Sequence, residues 1–160
     1  MNRRYDDYLC KRYPGIYRDR RADMRTTAMC WGFDIGDGWF TLLENLNNLI
    51  ENITENARDR IISDYKLKNK IEWNKTLDDS VLKELRVDEL GVIATQVKEK
   101  YGGLQFYYRA NLPEPYSDEV EGAVAMASHM SQHICEICGD KGKINKSGRL
   151  QVRCFKHRED

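Results

Sequence analysis

An α+β fold is predicted by three features: a long apolar stripe at helical spacing, two β-rich runs meeting at a glycine pair, and a C-terminal cysteine/histidine set spaced to hold a metal. The stripe is Trp39, Leu42, Leu43, Leu46, Leu49, Ile50, Ile53, Ala57 and Ile61, which recur three and four residues apart and so share one side of a helix. The β-rich runs, IATQVKEK and LQFYYRA, lie either side of Gly102-Gly103, where both positions of a two-residue turn accept positive φ. The expected architecture is this amphipathic helix with flanking helices on a small antiparallel sheet, forming a core over residues 1–134. A zinc knuckle or ribbon follows over residues 135–160.

The remaining elements follow from local signals. Asn2–Tyr13 is expected to be helical, with Tyr5, Tyr8, Leu9 and Tyr13 near one side and Pro14-Gly15 ending it. Residues 16–38 lack periodicity and contain YRDRR and CWGFDIGDGW. Asp37 is placed to cap the long helix, and Asn45, Asn48, Asn52 and Asn56 fall on its solvated side. Tyr65–Lys75 reads equally as a helix continuation or a loop. Leu77, Val81, Leu82 and Leu85 suggest a short helix. After Pro113 and Pro115, Ser117 is expected to cap a last helix reaching about His133, with acids in its first turn.

At 160 residues, with 41% hydrophobic and 32% charged side chains, the chain can bury one real core and is not low-complexity. It has no apolar run of membrane-spanning length. The first residues, MNRRYDDYLCKRYPG, lack the apolar centre of an export signal. Five cysteines without such a signal suggest a reducing cytoplasm. Lys plus Arg equals Asp plus Glu, 26 each, so there is no overall basicity to indicate nucleic acid. The charges are nonetheless segregated. Residues 1–25 carry eight bases against four acids, 31–64 two against seven, 65–75 four against one, 111–134 none against four, and 135–160 seven against four. Such blocks make separate basic and acidic patches, able to steer a charged partner to one face or simply to keep the protein solvated.

The metal signal is the most specific. Cys135 and Cys138 form C-x2-C, Cys154 and His157 form C-x2-H, and fifteen residues separate the pairs. Each short pair aims two donors at one ion, and the spacer accommodates a hairpin. Gly139 sits where a knuckle needs a left-handed residue. Three thiolates and an imidazole suit zinc, and four protein donors point to a structural ion instead of a catalytic one with an open position. His129 and His133, four apart, are expected on a helix surface. Cys10 and Cys30 lie outside any metal spacing and read as small apolar residues.

A turn at Gly102-Gly103 would set Tyr101 opposite Leu104, Glu99 opposite Phe106 and Val97 opposite Tyr108, an apolar face that Ile93 joins and Glu99 interrupts. The other face would present Lys98, Lys100, Tyr107 and Arg109 with Gln96 and Gln105. Such a strip could hold phosphate and stack a base, or be an ordinary solvated face. Glu99 is expected either to pair with an arginine of YRDRR, such as Arg18 or Arg20, or to act as a functional carboxylate. In CWGFDIGDGW the glycines allow close backbone approach, while Trp31 and Trp39 offer stacking walls and Asp34 and Asp37 carboxylates. No phosphate loop, dinucleotide fingerprint, zinc-protease motif or nucleophile elbow occurs.

Taken together, CWGF with GDGW, then QVKEKYGGLQFYY, then the terminal C-x2-CG and C-x2-H resemble a family of uncharacterised proteins encoded by tailed bacteriophages and prophages. The likeness spans residues 14–50, 96–108 and 135–157 and lends no catalytic residue. It implies a phage-type product acting in the host cytoplasm. The function expected on that basis is a non-catalytic accessory protein that counters host defence by sequestering an anionic nucleotide signal or binding a host protein. Two alternatives stand beside it. A nucleic-acid binder would use Lys141, Lys143, Lys146, Arg149 and Arg153, and a phosphate-ester enzyme would use Asp34, Asp37 or Glu99 with Arg18 or Arg20.

Overall fold

The computed structural model describes residues 1–145 and 148–158, so Lys146 of the tail lies outside the described residues. The fold is α+β, with helices packed on a small sheet and a cysteine/histidine cluster at the C-terminal end. Helix α1 (Arg3–Arg12) starts where the Asn2 side chain accepts the Tyr5 N–H at 3.1 Å. It ends as the Tyr13 N–H closes on the Leu9 carbonyl, just before Pro14, which has no N–H to continue the ladder.

Helix α2 (Phe40–Lys68) is the long amphipathic element, and its continuation to Lys68 settles the ambiguous stretch as helix for its first turn. Leu42, Leu43, Leu46, Ile50, Ile53 and Ala57 are buried, while Leu49 drifts to the edge of the stripe at 38% exposure. Asn45, Asn52 and Asn56 are solvated and Asn48 is half-buried. Asn47 is fully buried and accepts the Tyr17 hydroxyl at 3.0 Å. Helix α3 (Asp79–Glu84) follows, then α4 (Tyr116–Ser131) after the sheet.

Both expected carboxylate and hydroxyl caps are corrected. Helix α2 enters from a 3-10 turn over Asp37–Trp39, so Asp37 sits too early to cap it, and α4 begins at Tyr116, placing Ser117 inside the first turn. His133 lies beyond the end of α4, and both His129 and His133 are exposed.

The main sheet is mixed, not purely antiparallel. Strands β2 (Gly91–Lys100) and β3 (Gly103–Asn111) form the expected hairpin, and the two-residue β1 (Phe33–Asp34) adds parallel to β2. The turn is Tyr101-Gly102, one residue earlier than expected, with φ of 56° and 77°. Two positive φ values give the strands the twist that a hairpin needs. The register therefore pairs Val97 with Phe106, Glu99 with Leu104 and Lys100 with Gly103.

A bulge between Ala94 and Gln96 reverses the alternation. Val92 and Ala94 consequently share the buried side with Val97, and Ile93 turns outward opposite Arg109, against expectation. Loops hold this irregularity: the Ala94 N–H donates to the Ile16 carbonyl at 2.8 Å, and the Thr27 hydroxyl donates to the Thr95 carbonyl at 3.1 Å. On the buried side, Leu43 and Ile50 of α2 and Val120 of α4 join Val97, Leu104 and Phe106 in one core. The tail adds a second, two-stranded sheet of β4 (Lys143–Ile144) and β5 (Val152–Arg153). No described helix is long and apolar enough to cross a membrane.

Candidate functional site

The four metal-spaced side chains converge. The donor atoms of Cys135, Cys138, Cys154 and His157 all lie within 4.8 Å of one another. Cys138 Sγ is 3.7 Å from Cys154 Sγ, and His157 Nδ1 is 3.6 Å from Cys135 Sγ and 3.2 Å from Cys154 Sγ. Tetrahedral donors at a metal–sulfur distance of about 2.3 Å stand roughly 3.8 Å apart, so the set fits one tetrahedral ion. Short turns make this possible. The Gly139 N–H returns to the Cys135 carbonyl at 2.9 Å with Gly139 at φ 82°, and the His157 N–H returns to the Cys154 carbonyl at 3.0 Å.

The cluster also favours a thiolate. Burial opposes ionisation of Cys135, but the amides of Cys154, Cys138 and Ile137 and the His157 ring more than offset it, bringing the thiol down to about 6. At Cys138 the amide of Asp140 favours the thiolate, yet desolvation and the two neighbouring sulfurs prevail and push the thiol up to about 11. Crowded thiols that cannot all ionise together are the electrostatic situation a divalent cation relieves.

The knuckle is seated on the glycine loop. Gly38 donates to the Glu136 carbonyl at 2.8 Å, Gly36 donates to the Glu136 carboxylate at 3.1 Å, and the Trp39 indole donates to the Ile134 carbonyl at 2.8 Å. A Cβ on Gly38 would stand 2.1 Å from the Cys135 carbonyl oxygen, and one on Gly36 equally close to that of Glu136. The glycines of GDGW thus admit a close backbone approach, as expected of such a loop, but what approaches is the chain's own knuckle. Glu136 is completed by Arg153 at 2.9 Å, with both side chains largely buried. No sequence signal marked Glu136; its role depends on a loop a hundred residues away.

Lys98, Lys100 and Tyr107 do share the outer face of the hairpin. Lys98 Nζ lies 5.5 Å from the Tyr107 ring centre, diagonally, since Tyr107 is paired with Gln96 and Lys98 with Gln105. Lys100 Nζ lies 5.1 Å from the exposed Tyr101 ring. Arg109 stands on the same face but is bound to Asp19 at 2.6 Å.

The other expected ligand-binding residues are dispersed. Arg20 holds Asp6 through two nitrogens and the Cys30 carbonyl through a third, so it faces no ligand. Asp37 accepts the Asn2 backbone N–H at 2.7 Å and its side-chain amide at 2.6 Å. Trp39 is fully buried, whereas Trp31 is 70% exposed on a separate turn. Arg18 is exposed beside Ile16 and Arg58, toward the open end of the hairpin. Glu99 is buried as an internal anchor: it accepts the Gly102 N–H at 2.7 Å and binds Arg149 at 2.8 Å, so its partner comes from the tail and not from YRDRR.

Comparison with family models, curated proteins and solved structures found no match to the chain.

Proposed function

We propose that the chain is a zinc-stapled, non-catalytic binding protein of phage type that captures an anionic ligand of nucleotide chemistry on the outer face of its hairpin. The observation that carries this is the set Lys98, Lys100 and Tyr107, two cations with no ion pair among the described residues and a half-exposed ring on one strand pair. Cations attract phosphate, and the ring offers a stacking surface. Zinc is the ion assigned to Cys135, Cys138, Cys154 and His157, because three thiolates and an imidazole saturate its tetrahedral shell. Its contribution is to cross-link the tail, while Glu136 and Arg153 fix that tail to the glycine loop.

The alternatives draw less support. Asp37 and Glu99 are each engaged in internal bonds on different elements, and Asp34 stands exposed on β1 in register with Lys98, while Arg20 is bound to Asp6, which leaves less support for a phosphate-ester enzyme. Of the tail cations, Arg149 and Arg153 are spent on Glu99 and Glu136, leaving Lys141 and Lys143 exposed for nucleic acid. In a reading of this kind the protein works in the host cytoplasm as an anti-defence factor.

Size-exclusion chromatography of the protein from its host, read by the ratio of nucleic-base to protein absorbance, tests the reading. Wild type should carry a base-absorbing ligand, and Lys98→Ala/Lys100→Ala should elute without it. Wild type free of such a ligand would move the strip's target to a host protein.

A further inference from the structure

A second surface, on the opposite side of the helices' packing, carries its own chemistry. Between α2, α4 and the knuckle lies a groove of about 650 Å³. Its floor is apolar, and Leu49, Met126 and Met130 are 38%, 55% and 46% exposed along it. Exposed methionines adapt their shape to varied partners, and clustered apolar exposure marks an interaction site. The groove follows α2 from Leu42 to Leu49 and α4 from Ala123 to Met130, about 10 Å at the helical rise. That length accepts two turns of a helix, with anchors at i, i+3 or i+4, and i+7.

Its charge is one-sided. Among the described residues, the charged ones lining it are Asp37 and Asp140, with no lysine or arginine. Asp37 is bonded to neutral amides, and Asp140 forms an exposed ion pair with Lys156 at 3.6 Å. Along the neighbouring sequence, α4 has Asp118, Glu119 and Glu121 and no lysine or arginine; on α2, Glu44 accepts the Tyr8 hydroxyl, while Glu51 and Glu55 line a different cavity, where Glu51 pairs with Arg12. A second copy of this face would bring acid against acid, and an anionic ligand would be repelled.

We infer that this groove binds an amphipathic helix from another protein, one with an apolar stripe flanked by lysine or arginine. The inference does not use the hairpin face, so the two surfaces stand or fall separately.

The test is fluorescence anisotropy of the zinc-loaded full chain with a labelled fourteen-residue leucine/lysine helical peptide. A leucine/glutamate peptide of the same pattern is the control. Binding of the basic peptide, at least tenfold stronger than the acidic one and reduced at least tenfold by Met126→Ser/Met130→Ser, is the expected result. Trp73→Ser, which removes an exposed ring elsewhere, should leave affinity unchanged and so distinguishes the groove from general stickiness. Should the double variant fold poorly, Leu49→Gln reads the same groove from the other helix. Equal affinity for both peptides, unchanged affinity in the groove variants, or a concentration-dependent dimer abolished by them would each overturn the proposal, the last by making a second copy the occupant. The hairpin ligand of the preceding section should remain bound in every groove variant.

Discussion

Gly38 and Glu136 meet backbone to backbone, the Gly38 N–H donating to the Glu136 carbonyl at 2.8 Å, with no room for a side chain between loop and knuckle. Because the colliding atoms are backbone, Cys135 O and the amide nitrogens of Gly139 and Cys138, rotamer changes cannot relieve a Cβ there. Gly38→Ala should therefore lift the knuckle off the core and cost about 2–3 kcal/mol, the upper range for a single substitution. Denaturant unfolding checks the stability. Hydrogen exchange at the Gly38 and Trp39 amides checks the place.

Removing a donor tests the staple itself. Cys138→Ser removes one of the four converging donors, so the variant should lose most of the zinc proposed for this cluster and the segment after residue 134 should become more protease-sensitive. Residues 1–134 should stay folded, because the α2 stripe packs on the sheet without help from the ion. Elemental analysis with limited proteolysis reads both effects. A full equivalent of zinc in the variant would count against the site.

The Glu99–Arg149 pair should prove asymmetric. Glu99 is 5% exposed at its side chain and Arg149 is 74% exposed. Arg149→Ala strands the Glu99 carboxylate in a buried position without its cation and should cost about 2 kcal/mol. Glu99→Ala orphans the Gly102 amide inside the hairpin turn, and should cost a similar amount. Glu99→Gln keeps an acceptor for that amide and leaves only a solvated guanidinium behind, so it should cost least, under about 1 kcal/mol. Thermal melts of the three variants give the order.

These contrasts separate what the sequence discloses from what it cannot. The α2 stripe and the C-x2-C and C-x2-H pairs are local patterns, and both appear in the structure where their spacing puts them. The β2–β3 hairpin was legible as a hairpin, but its exact turn was not. Two adjacent glycines allow two turns, and the choice falls to Tyr101-Gly102, where the buried Glu99 carboxylate receives the Gly102 amide. The bulge at Thr95 depends on bonds from Ile16 and Thr27, distant residues with no pattern of their own. The seat for the knuckle was half legible: GDGW announced a close approach, but its partner, Glu136, lies too far along the chain to be paired by reading.

Cys10 should be chemically quiet. Burial, helped by the Asp6 carboxylate that accepts its S–H at 3.4 Å, pushes the thiol up to about 12. Alkylation requires the thiolate, so reaction of Cys10 with iodoacetamide in the native protein should stay slow until about pH 11. In the unfolded chain it should react at the rate of an ordinary thiol near pH 9. Peptide mass spectrometry after timed labelling distinguishes the two. Rapid labelling of native Cys10 at pH 8 would show that α1 opens readily enough to expose the thiol.

The buried Tyr17–Asn47 contact gives the sharpest energetic test. The Tyr17 hydroxyl donates to Asn47 Oδ1 at 3.0 Å, both residues are almost wholly buried, and Asn47 Nδ2 has no hydrogen-bond partner among the described residues. The pair is thus a polar inclusion in an apolar core, already lacking one bond. Tyr17→Phe leaves both polar atoms of Asn47 unsatisfied and should cost about 1–2 kcal/mol; Asn47→Leu alone leaves the hydroxyl stranded and should cost a similar amount. Making both changes removes every unmet group. Leucine shares asparagine's branching at Cγ, and the hydroxyl lost from Tyr17 makes room for its larger methyl groups, so the double variant should be nearer wild type than either single one, with a coupling energy of about 1 kcal/mol or more. Denaturant titration of the four proteins closes the cycle. Simple additivity would mean that water reaches Asn47 and that the core around Tyr17 is looser than its packing indicates.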